Sequence, residues 1–214
     1  MNVTIPGGQY LTGSLDVISQ SLTIPVLVIL LIIVVISIIA LGGLISEYTS
    51  RKKVPVGVIR DLIYDINSAE SVEALKGIIE GSKIPKSQKK VLTEIASSSS
   101  LEKNSREALA RKLVEYEEEK IDNALRQTDI ITRIGPTLGL MGTLIPMGPG
   151  LAALGAGDVN TLASAIIVAF DTTVVGIGAG AVAYFVSKVR RRWYEEYLSN
   201  LDALADALID KLKQ

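Results

Sequence analysis

Three long stretches of this chain are almost free of charge, and they limit its fold more than any other feature. Ile24 to Ser46 and Ile134 to Gly157 contain no Asp, Glu, Lys or Arg, and Val159 to Ser187 contain one, Asp171. At about 1.5 Å per residue, roughly 20 helical residues cross a hydrocarbon core of about 30 Å. The stretches therefore predict three transmembrane helices, at 24–46, 134–154 and 162–187, the last two joined by an outer turn at 155–161. The residues before Ile24 contain no Lys or Arg, and the first run is longer than a signal-peptide core, so it reads as a span and not a cleaved leader.

Apolar residues make up 48% of the chain and charged residues 21%, so a sizeable aqueous part accompanies the spans. The chain has no Cys and no His, which removes disulfides, thiolate chemistry, the usual zinc ligands and a histidine proton shuttle. No metal site or cofactor is expected. A net charge of -1, with the basic residues gathered at the span borders, gives no footprint for nucleic acid.

Those borders set the expected orientation. Arg51, Lys52 and Lys53 follow the first span, Arg126 and Arg133 precede the second, and Lys188 with Arg190, Arg191 and Arg192 follows the third. Residues 1–23 and the turn have no Lys or Arg, which predicts an outer N-terminus and a cytoplasmic C-terminus in the cell membrane. Trp193, Tyr194 and Tyr197 stand where an interfacial anchor is expected, with packing in the following helix as the alternative.

The polar region 47–133 shows helical periodicity broken at Pro55, at Gly81 with Pro85, and at Ser97 to Ser100. This predicts three short helices and then a long one running into the second span, opened by a capping box at Asn104 and Glu107. After the third span, at 188–214, Trp193, Tyr197, Leu201, Leu204, Leu208 and Leu212 form an apolar stripe, with Asp202, Asp206 and Asp210 on another face as a solvated row. The expected fold class is an all-α membrane protein with three transmembrane helices, whose long helices extend into a helical cytoplasmic domain.

Inside the bilayer an Asp costs about 2.5–3.5 kcal/mol at a helix centre, so Asp171 is expected to face protein or water. Gly135, Gly139 and Gly142 line one face of the second span. In the third, Ala165, Ala169, Thr173, Gly176 and Gly180 form a small-residue stripe suited to close helix packing. Pro146 and Pro149 make regular helix doubtful beyond Ile145. Thr143 and Thr173 are candidates for an ion pathway, the alternative being a hydroxyl bonded to its own backbone. Asp171 and Thr173, two residues apart, point to nearly opposite sides of a helix. Asp171 thus belongs to the pathway, to a subunit seam, or to the packing alone as a protonated acid hydrogen-bonded to backbone.

The segment Pro136-Thr-Leu-Gly-Leu-Met-Gly-Thr143, followed by Ala169-Phe-Asp-Thr-Thr173-Val-Val-Gly176, resembles the paired core motifs of the MotA/TolQ/ExbB proton channel family. The order of parts is similar as well. The resemblance implies a homopentamer whose second and third spans surround a pore, holding a single-span partner like ExbD, TolR or MotB that carries a membrane Asp. Ion flow, of H⁺ or Na⁺, would drive rotation of one set of helices inside the other. Thr143 and Thr173 match the family's pore threonines. The ExbB and TolQ branches place a Glu where this chain has Val168, so that role does not transfer. The short cytoplasmic insertion favours the ExbB/TolQ branch.

Two other readings compete. A non-conducting membrane scaffold would use the same hairpin packing. An intramembrane aspartyl protease is suggested by Gly155-Ala-Gly-Asp158, but its chemistry needs two carboxylates sharing a proton. Asp158 and Asp171 stand roughly 20 Å apart along a helix, so a non-enzymatic reading is preferred.

Overall fold

The computed structural model describes residues 8–51 and 53–213, and the regular structure among them is entirely helical. The expected outer tail at 1–7, Lys52 of the basic flank and residue 214 lie outside the described residues. Helices α1 (Gly8–Ser21) and α2 (Thr23–Ser50) are followed by three short helices, α3 (Val56–Ser68), α4 (Val72–Gly81) and α5 (Lys86–Ser97). A single 3-10 turn at Ser98–Ser100 leads into two long helices, α6 (Lys103–Gly155) and α7 (Val159–Leu212). Three helical stretches, Thr12–Ser50, α6 and α7, are long and apolar enough to cross a membrane, and the protein is an all-α membrane protein.

Helix α1 was not expected. It is separated from α2 at Leu22, one turn before Pro25, which has no N–H to offer the Ser21 carbonyl. A second correction concerns α6. Pro136, Pro146 and Pro149 all lie inside this helix, which continues ten residues past Ile145 to Gly155. Each proline removes one ladder bond, but the remaining backbone groups still need partners, and in lipid helix is the conformation that supplies them. Packing also pins the last turns, since a Cβ on Gly150 would lie 2.9 Å from the Ala165 Cβ.

The chain forms two compact units. The membrane unit runs to Glu47 and resumes over Arg126–Lys188; the polar unit comprises Tyr48–Leu125 and the chain from Val189 onward. In the membrane unit, Val26, Leu30 and Ile33 of α2 form a core with Ile131, Leu138 and Ile145 of α6 and Ala179 and Ala183 of α7. Ser37 of α2 is buried there and donates to the Ala179 carbonyl at 3.2 Å.

The polar unit packs the apolar faces of α3, α4 and α5 against α7. Ile66, Ile79, Leu92, Ile95, Leu201, Leu204 and Leu208 are fully buried. Ser71 caps α4 by accepting from the Ala74 N–H at 3.1 Å. The expected capping box does not form, because α6 begins at Lys103 and puts Asn104 inside the first turn. Glu107 instead pairs with Lys213 at 3.2 Å. Buried Arg106 donates to the carbonyls of Ser99, Leu101 and Leu212, which satisfies an orphan carbonyl at the C-terminal end of α7. Trp193 is a packing residue here: the Arg51 guanidinium lies 5.0 Å from its ring centre and the Tyr48 ring 6.1 Å away.

Candidate functional site

Within the membrane unit the antiparallel hairpin of α6 and α7 is held backbone to backbone. A Cβ on Gly176 would lie 2.6 Å from the Gly135 carbonyl oxygen and 2.8 Å from the Gly139 Cα; one on Gly135 would lie 2.8 Å from the Gly176 oxygen. Gly180 faces Pro136 in the same way, at 2.8 Å. Glycine at these positions is what lets the helices approach. The predicted packing glycines Gly135, Gly139, Gly142, Gly176 and Gly180 all lie in this contact.

The threonine in the contact is a different one from that expected. Gly142 faces Thr172, whose Cβ would be 2.6 Å from an added methyl, and Thr172 is buried with its hydroxyl 2.9 Å from the Val168 carbonyl and 3.0 Å from that of Ala169. Thr173 lies at the edge of the seam, with its Cα 3.4 Å from a Cβ placed on Gly139. The step from Ala169 could be three or four residues, and the sequence offered a threonine at both.

This seam fixes the directions of the other polar residues. From Gly142 to Thr143, and from Thr172 to Thr173, each helix turns by about 100° in the same sense along its own axis. Because the helices are antiparallel and face one another, these two rotations carry Thr143 and Thr173 to the same side of the hairpin. Helix α2 covers the opposite side: its contacts Ile131, Leu138 and Ile145 precede Thr132, Gly139 and Pro146, a rotation of about 100° the other way. Asp171, one residue before Thr172, is turned away from the threonine side and is exposed in the single chain. The structure thus brings Thr143 and Thr173 onto one face and leaves Asp171 off it.

Thr143 donates to the Leu140 carbonyl at 2.6 Å, so its hydroxyl proton is taken and its lone pairs remain as acceptors. Among the described residues the Thr173 hydroxyl has no hydrogen-bond partner, and it keeps both a donor and acceptors. A polar contact that the sequence reading missed closes the other end of the hairpin, where buried Ser187 donates to the Asp129 carboxylate. Serine and aspartate 58 residues apart give no local signal.

The Gly155-Ala-Gly-Asp158 string is turn chemistry. Gly157, at φ +82°, ends α6 with the Asp158 N–H on the Ala153 carbonyl and its own N–H on that of Leu154, both at 2.9 Å. Asp158 then accepts from the Thr161 hydroxyl and N–H, which together hold its carboxyl below the usual range and begin α7.

A family model matches residues 83–203, more than half of the chain, and its description is the MotA/TolQ/ExbB proton channel family. The chain belongs to this family. No individual curated protein matches it significantly. The match to the MotA/TolQ/ExbB model includes α5, all of α6 and most of α7, and hence the whole glycine seam with both threonines. Membership points to function of the ion-channel motor kind, in a family of channels and not of enzymes. Family members are membrane proteins, in keeping with the three long apolar helices. Val168, where the ExbB and TolQ branches are expected to carry a Glu, is exposed on α7 in this member.

Proposed function

We propose that the chain is the multi-span subunit of an ion-driven motor in the cell membrane, and that the Thr143–Thr173 face borders the conducting path. The supporting observation is that these two threonines share the side of the hairpin not covered by α2. In a homopentamer with α2 outermost, that side would turn toward the axis and toward a single-span partner of the ExbD, TolR or MotB kind. A threonine hydroxyl does not release a proton near neutral pH, but it can hold a water or polarise a passing carboxylate. The titrating carboxylate would belong to the partner's membrane Asp. Asp171, turned off this face, would sit at a seam between subunits, where neighbouring protein relieves its desolvation. The charge pattern supports a cytoplasmic polar unit: Arg51, Lys188 and Arg190 to Arg192 border it, and the turn at 155–161 has no basic residue.

The test is ion-coupled output and ion flux in vesicles holding the complete complex. Thr173→Ala is expected to reduce flux roughly tenfold or more, a barrier change of about 1.4 kcal/mol, while the complex still purifies with its partner. Thr143→Val is expected to do the same, and Asp171→Asn to alter assembly more than flux. If both threonine variants conduct normally in an intact complex, the pathway reading fails and the scaffold reading takes its place.

A further inference from the structure

The polar unit carries a groove of about 700 Å³ between α6 and α7, bordered by the edge of the apolar core. Six carboxylates line it, those of Glu107, Glu115, Glu118, Asp202, Asp206 and Asp210, against two cations, Arg111 and Lys213. Lys213 is engaged by Glu107 at 3.2 Å and by Asp210 at 2.8 Å. Among the described residues Glu118, Asp202 and Asp206 have no ion-pair partner. The floor between the carboxylates is apolar, from Ala110, Val114, Ala205 and Ile209. Burial, and then the neighbouring Asp206 carboxylate, push Asp202 up from its ordinary value, as expected of a row short of compensating charge.

The same unit presents the complementary surface elsewhere. Helix α5 turns Gln88, Val91, Leu92, Ile95 and Ala96 into the core. Lys86 and Lys90 therefore stand on its outer side, and Lys83 lies just before the helix; all three are exposed and without an ion pair among the described residues. Lys86 and Lys90 are four residues apart, as are Asp202, Asp206 and Asp210, and four helical residues span about 6 Å. Two lysines at this repeat match Asp202 and Asp206, the two aspartates of the row that Lys213 does not engage. Acceptor and donor are different patches of one chain, so their pairing is head-to-tail, the kind of contact that closes rings.

We propose that the α6/α7 groove of one copy receives the Lys83–Lys86–Lys90 edge of the next, a charged collar that sets the register of the ring. This rests on the reading that copies of the chain assemble as a ring. The chain has no cysteine, so introduced thiols report without interference. Copies carrying Asp206→Cys and differently tagged copies carrying Lys90→Cys would be co-expressed with the partner and treated in membranes with a short thiol cross-linker. The expected product is a dimer carrying both tags, and with both substitutions in one chain a ladder that stops at the ring size. A ring present by native mass spectrometry without this cross-link overturns the proposal and leaves the ring reading standing. A groove thiol that cross-links to the single-span partner also overturns it, and absence of any ring removes both. Independently, Lys86→Glu with Lys90→Glu should lower the fraction of ring surviving in detergent several-fold. Adding Asp202→Lys and Asp206→Lys should restore it, a rescue that a merely misfolded variant would not show.

Discussion

In the membrane unit α6 and α7 touch through Gly135, Gly139 and Gly176, backbone against backbone. In the polar unit the same helices are held by side chains: Leu201, Leu204 and Leu208 of α7 are fully buried in a core that includes Ala110 of α6. The solvent accounts for the difference. In water, burying a Leu side chain contributes about 1.5–3 kcal/mol, so large aliphatic residues are the effective means of joining helices. Lipid tails are as apolar as Leu, so association there depends on close van der Waals packing, which small residues allow.

The comparison breaks most readily at Gly176. Ala in place of Gly ordinarily favours a helix, but here the added methyl meets the Gly135 oxygen at 2.6 Å and the Gly139 Cα at 2.8 Å, with no flexible side chain to yield. Gly176→Ala is expected to destabilise the hairpin by about 1–3 kcal/mol, read as a lower melting temperature in detergent and a lower yield of folded protein. A variant as stable as the parent would mean that the helices are not in backbone contact.

How much of this was legible in the sequence follows from the same physics. The spans could be read because an apolar run is a one-dimensional property; the helical class and the continuation of α6 and α7 past the membrane borders followed from periodicity. The glycines of the seam could also be read, since they repeat at helical spacing. The neighbouring Thr172 and Thr173 could not be told apart, because steps of three and four residues both keep to a helix face, and only the partner helix decides between them. The prolines misled for a related reason: a local rule counts the lost hydrogen bond, whereas the surroundings, lipid and the close approach of Gly150 to Ala165, favour continued helix. The groove, the Asp129–Ser187 contact and the buried Ser37 join residues far apart in sequence, and composition carries no trace of such pairings.

Polar contacts sharpen the comparison. In the membrane unit Thr132, Thr137 and Thr143 each donate to a carbonyl three or four residues back. In the polar unit Tyr197 reaches across to buried Glu117 at 3.0 Å. Burial raises the Tyr197 phenol to about 12, with the Glu117 carboxylate adding to the rise and a hydrogen bond with Ser87 opposing it. The folded value lies above the unfolded one, so the stability linked to this group is fully present below pH of about 10 and is lost as pH rises toward about 12. Near-ultraviolet titration should show a late tyrosine step at about pH 12, which Tyr197→Phe should remove. The same variant should cost about 1 kcal/mol, since among the described residues Glu117 then keeps only Lys120, at 2.6 Å, as a partner. If the late step survives in Tyr197→Phe, the burial of this phenol is misassigned.

The smallest expected effect has the opposite sign to the first. Gly77 lies inside α4, exposed, and nothing stands within 4 Å of where its Cβ would be. Gly77→Ala should therefore stabilise the polar unit by about 0.5–1 kcal/mol, through the backbone freedom it removes from the unfolded chain. That corresponds to a melting temperature higher by about 2–6 °C for a unit of this size. The same substitution, Gly to Ala in a helix interior, is thus expected to weaken the membrane unit at position 176 and strengthen the polar unit at position 77. A loss of stability at position 77 would show that this face of α4 is covered in the assembled protein, and that the polar unit also uses a small residue for close approach.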